Sequence, residues 1–129
     1  MTMEIDSGLR QNHPEAMPFS EAAAEGRFVV PTCGDCGRTH WYPRAFCPFC
    51  FSPDVSWQTA SGDGEIYSYC NPRPAPGTHV IAYVKIPEGP ILLTHLVDTQ
   101  PDDISIGMPV KVALLTGKEG HFYPAFRPA

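Results

Sequence analysis

Basic charge is scarce in this chain. Nine Lys and Arg stand against fourteen Asp and Glu over 129 residues, a formal net charge of −5. A surface that follows nucleic-acid phosphates needs a basic excess on at least one face. Arg27, Arg38 and Arg44 make only a mild local bias, so nucleic acid is disfavoured as a partner. Long apolar runs are missing too: none approaches the roughly 20 residues of a membrane-crossing helix, and no membrane association is expected. The opening "MTMEIDSGLRQNHPEAM" has neither a basic start nor an apolar stretch. No export signal is therefore read there, and a cytoplasmic location is expected. Uninterrupted helix-forming sequence is also rare. Fifteen prolines, about twice the usual share, cannot sit inside helices or central strands. Short strands and many loops follow.

What the chain does have is a cysteine cluster. "CGDCGRTHWYPRAFCPFC", residues 33–50, holds four of the five cysteines as two C-x-x-C pairs ten residues apart. In a reducing compartment such a cluster reads as a metal site, not as disulfides. Two C-x-x-C turns facing each other set four thiolates in a tetrahedron, which suits zinc, or iron in rubredoxin-like sites. Cys33, Cys36, Cys47 and Cys50 are the candidate ligands. The ten-residue gap allows two arms of about five residues at roughly 3.3 Å each, enough to go out and back. Zinc is expected, with iron as a substitute after recombinant expression. Four thiolates leave the metal no open position for water, so its role reads as structural. A thioredoxin-like use of one C-x-x-C would need a helix that the neighbouring prolines forbid. Cys70, on an expected strand, reads as a small buried apolar residue.

Around the cluster the chain divides into an N-terminal arm (1–17), a short helix and lead strand (18–30), a metal ribbon (31–56) and a barrel (57–129). Ser20 is a candidate helix cap ahead of "EAAAE", and Gly26 a left-handed stop. Gly62 and Gly64 around Asp63 read as a tight turn. Five runs follow: "EIYSYC", "THVIAYVKI", "PILLTHLVD", "MPVKVALL" and "HFYPAF". In the second, Val80, Ala82, Val84 and Ile86 share one face. In the last, Phe122 and Pro124 oppose Tyr123 and Ala125. Five strands without an intervening helix fit a small closed barrel. The proline-rich stretch "NPRPAPGTH" between the first two is a candidate contact loop.

The order of motifs carries a resemblance. A short helix, "CGDCG", "YPRAFCPFC", the connector "VSW", then "SGDGEIYS", "EGPILLTHLVD" and "IGMPVKV" resemble, over residues 18–127, one bacterial and archaeal family. Its members pair a rubredoxin-like zinc ribbon with an OB-fold and were first filed as a domain of unknown function. The chain departs from the pattern at Phe51, where glycine is common. The resemblance implies a mainly β fold: short N-terminal helix, rubredoxin-like zinc ribbon, then a five-stranded OB-fold barrel. It further implies an accessory subunit that binds a thiolase-like or acyl-CoA hydratase-like enzyme. Such a subunit helps to enclose a CoA thioester during acyl transfer, condensation or retro-aldol cleavage, while the partner supplies the catalytic groups.

Several residues could serve that role. Arg38, Arg44 and Arg73 are candidates for the phosphates of CoA or for partner contacts, against the plainer reading of solvated surface arginines. Trp41, Tyr42, Phe46, Phe49 and Phe51 crowd a ribbon too short to bury them all. They form either a miniature core or a docking patch. Of the histidines, His95 reads as a core or interface residue, His79 and His121 as exposed strand starts, and His40 as ribbon surface. No nucleophile–base set can be assigned. Two alternatives stay open: a nucleic-acid-binding zinc ribbon/OB-fold protein, and a rubredoxin-like electron carrier.

Overall fold

The structure, a computed structural model, describes residues 14–70, 80–116 and 122–129. Helix α1 spans Met17–Ala24, preceded by a 3-10 turn at Pro14–Ala16. Ser20 does not cap it. Pro18 fits the first turn, where its missing N–H is no loss, so the helix starts upstream at Ala16, which makes no side-chain cap. Ser20 is buried one turn inside. The C-terminus ends as expected on Gly26, with φ +82°. Gly26 N donates to Ala23 O at 2.9 Å and Arg27 N to Ala22 O at 2.9 Å, the double closure of a Schellman motif.

Strands β1 (Val29–Cys33) and β2 (Val55–Thr59) pair antiparallel, with Cys33 opposite Val55. They lead into and out of the cysteine cluster. The expected pair of arms between the two C-x-x-C turns is not formed: residues 37–46 hold no strand, only a bridge from Thr39 to Thr32. Pro43 and the turn after Cys36 break the run, and β1–β2 does the work of gathering the turns. Phe19 of α1 packs edge-on against Phe28 (centroids 6.3 Å) and Trp41 (5.2 Å), fastening the helix to this sheet.

The remaining strands are β3 (Asp63–Cys70), β4 (Val80–Lys85), β5 (Ile91–Leu96), β6 (Pro109–Thr116) and β7 (Phe122–Pro128). They close into one barrel in the order β3-β4-β5-β7-β6. The fold is therefore mainly β, as expected, with the five-strand closed barrel of an OB-fold. Val80, Ala82, Val84 and Ile86 do face the core, with Ile66, Leu92, Leu96, Val110 and Phe126. In β7 strict alternation fails, because Ala125 and Phe126 are both fully buried. Gly62 (φ +87°) makes the turn alone, while Asp63 and Gly64 already belong to β3. A Cβ at Gly64 would lie 2.5 Å from Val84 Cγ1, so the strand crossing there requires glycine.

A bulge between Ile66 and Ser68 shifts the register of β3 against β4. Beyond a bulge the two faces of a strand exchange. Cys70 consequently pairs with Ile81, off the core side, and is exposed instead of buried. His95 likewise points away from the core on β5; Thr94 takes the inward place and donates to Pro124 O at 2.9 Å. No helix among the described residues is long and apolar enough to cross a membrane. "NPRPAPGTH", Arg73, His79 and His121 lie outside the described residues.

Candidate metal centre

Cys33 closes β1, and β2 begins five residues after Cys50. Pairing of these strands brings both C-x-x-C turns together, reinforced by Gly34 N donating to Asp54 O at 2.7 Å. The two turns repeat one hydrogen-bond pattern. Cys33 N donates to Arg38 O and Cys47 N to Ser52 O, each at 2.9 Å. Gly37 N donates to Cys33 O at 3.0 Å and Phe51 N to Cys47 O at 2.9 Å. Both Gly37 (φ +75°) and Phe51 (φ +64°) adopt the left-handed conformation that this closure demands.

The four sulfurs lie within 4.8 Å of one another, Cys33–Cys50 at 3.5 Å and Cys36–Cys47 at 3.6 Å. Sulfurs at 2.3 Å from a tetrahedral zinc stand ~3.8 Å apart, so the set fits that ion. Backbone N–H groups of Asp35 (3.3 Å) and Cys36 (3.4 Å) point at Cys33 Sγ, and that of Phe49 (3.4 Å) at Cys47 Sγ. Those donors stabilise thiolate over thiol. The Cys36 and Asp35 N–H groups hold the Cys33 thiol down at about 7 against the opposing effect of burial. Cys50 feels the lowering N–H of Ser52, but burial and the neighbouring thiols outweigh it and push it up to about 12. Like charges sharing one site ionise apart in this way, and a divalent cation removes the conflict. Cys33 and Cys47 are buried, while Cys36 and Cys50 are exposed.

A second layer ties the turns together without metal. The Ser52 hydroxyl donates to the Asp35 carboxylate and accepts from Asp54 N at 3.1 Å. Ser52 thus holds Cys47 through its carbonyl and the first turn through its hydroxyl. This clasp was not foreseen; "FSPD" carries only an ordinary turn signal. His40 was expected on the surface and is instead 3% exposed, with neither ring nitrogen hydrogen-bonded. Burial, then the Arg44 charge, lowers its pKa. Its backbone N–H donates to Pro31 O at 3.1 Å, which ties it to β1.

The aromatic cluster splits. Trp41 is half-buried between Phe19 and Tyr42. Tyr42 (56%), Phe46 (58%), Phe49 (50%) and Phe51 (77%) are exposed. Arg38 and Arg44 are exposed beside them, with the Arg38 guanidinium 5.0 Å from the Phe49 ring centre.

With this geometry in place, the kinship is plain. Residues 20–56 match the model of the ChsH2 rubredoxin-like zinc ribbon domain and residues 57–115 that of the ChsH2 C-terminal OB-fold domain. The chain belongs to the ChsH2/DUF35 family. It is 40% identical over 114 residues to a probable enoyl-CoA hydratase alpha subunit of Thermomonospora curvata, covering 84% of this chain but only 36% of that protein. A DUF35 domain-containing scaffold protein of Methanocaldococcus jannaschii is 31% identical over 94 residues, 67% of each chain. Among solved structures, the Ltp2-ChsH2(DUF35) aldolase superposes with TM-score 0.73 at 36% identity, over 88% of this chain and 94% of that one. All four cysteines fall within the matched zinc-ribbon domain, and their sulfurs stand close enough together to hold one such ion. When bound, the ion supplies a structural cross-link and, with four sulfurs around it, no site for substrate.

Proposed function

We propose that this DUF35 protein is a non-catalytic accessory subunit that binds a thiolase-like or hydratase-like acyl-CoA enzyme. In that complex it helps to enclose the CoA thioester during acyl transfer, condensation or retro-aldol cleavage. The observation that carries the reading is the likeness to the Ltp2-ChsH2(DUF35) aldolase at 36% identity over 94% of that chain. The hydratase-subunit relative, of which this chain spans about a third, points to the same class of substrate. The zinc ribbon stiffens the N-terminal half into a docking element, and its exposed aromatics give that element an apolar surface to bury. In this reading the exposed Arg38 and Arg44 supply the cations for a partner's carboxylates or the phosphates of CoA.

A tagged pulldown from the native host, with mass spectrometry, tests this reading. A thiolase-like or hydratase-like enzyme is expected at near-equal amounts, lost on metal chelation and in a Cys33→Ala, Cys47→Ala double variant. Retention of RNA, of a reductase, or of a partner indifferent to both treatments overturns it.

A further inference from the structure

The two cysteine turns are built alike, yet they fill one equivalent position differently. Gly37 and Phe51 each follow the last cysteine of their turn, and each donates its N–H to the carbonyl of the first cysteine. Each is left-handed, at φ +75° and +64°. Gly37 takes that conformation at no steric cost, whereas an L side chain there is disfavoured roughly tenfold in population. An aromatic side chain in a left-handed conformation is an outlier that the surroundings must sustain. Packing does not sustain it, because Phe51 is 77% exposed, more than any other large hydrophobic residue described. The ring therefore gives the isolated ribbon neither backbone ease nor a core contact.

We propose that Phe51 is the anchor of the ribbon's docking surface, and that its partner is a folded protein presenting an apolar pocket with an acidic rim. This rests on the accessory-subunit reading and names the chemistry of its contact. Phe51, Phe46 and Tyr42 line one open cleft of about 700 Å³ together with Arg44 and Glu15. Arg38 lies over the ring of Phe49, two residues before Phe51 in the same turn. Among the described residues neither Arg38 nor Arg44 meets a carboxylate within ion-pair distance. Two cations without a carboxylate partner near exposed rings, on a chain whose net charge is −5, are complementary to carboxylates surrounding an apolar centre. Aromatic and arginine side chains in that arrangement carry the largest shares of binding energy at protein interfaces.

The test compares Phe51→Gly with wild type in two measurements. The first, thermal unfolding and zinc retention of the full chain, needs no partner. The second is titration of the purified acyl-CoA enzyme that the pulldown retains. An anchor predicts opposite signs: Phe51→Gly keeps zinc and melts no lower than wild type, yet binds the enzyme at least tenfold more weakly. Wild-type binding also weakens as salt is raised, and Arg44→Ala lessens that dependence. Phe51→Gly binding within twofold of wild type overturns the anchor, as does loss of zinc or a lowered melting temperature, which would make Phe51 part of the ribbon's own core. Salt-independent wild-type binding overturns the acidic rim. A pulldown without any acyl-CoA enzyme strikes the accessory-subunit reading itself, and is distinguishable from all of these.

Discussion

His40 holds its imidazole in the ribbon interior with neither nitrogen hydrogen-bonded, so the neutral ring is favoured there over the charged one. Burial and then Arg44 lower its pKa. The unfolded chain therefore takes up a proton, near its ordinary value of 6.5, more readily than the folded ribbon does. More protons bound when unfolded means that stability rises with pH. Stability is expected to fall on acidification below about 6.5, by at most about 1.4 kcal/mol per pH unit. His40→Leu should flatten that slope in chemical unfolding between pH 7 and pH 5. Ser52 acts at the same scale through different physics. Ser52→Ala leaves the Asp35 carboxylate without its donor beside a centre already rich in negative charge. Groups that brace metal ligands typically contribute 10–100-fold in metal affinity. Zinc transfer from Ser52→Ala to a chromophoric chelator should be faster by roughly that factor, and Ser52→Thr, which keeps the hydroxyl, should restore it.

At the scale of elements, the strand pairs determine which side chains meet. β1 was legible as an extended lead strand, whereas β2 lies in what reads as a connector ("VSW"), and their pairing was not legible, because antiparallel partners 20 to 30 residues apart leave no mark on local periodicity. The ribbon's arms were accordingly expected between the cysteine turns, where Thr39 and Thr32 make only a bridge. In the barrel, a single extra residue near Tyr67 moves Cys70 from the core face to the surface. Nothing in the alternation of "EIYSYC" announces that bulge. Gly64 belongs to this scale as well, because β3 passes so close to β4 that Val84 Cγ1 would stand 2.5 Å from a Cβ there. Gly64→Ala should destabilise the barrel by about 1–3 kcal/mol, the ordinary cost of overpacking a core. A fall in the unfolding midpoint without a change in its denaturant dependence would show it.

For the whole molecule, the sequence by itself determined the composition-level facts. These are a mainly β chain, four cysteines spaced for one metal, a barrel after a ribbon, and a family whose motifs are short and ordered along the chain. The first three rest on local chemistry: proline's fixed φ, the reach of a C-x-x-C turn, and the two-residue period of strands; the family rests on the resemblance of its ordered motifs. Only the tertiary structure decided which aromatics are core and which are surface. It placed Trp41 against Phe19 and left Phe51 exposed in a glycine's conformation. It buried His40 and clasped Asp35 to Ser52. Burial and second-layer contacts depend on segments far apart in the chain, and no short window of residues contains both partners.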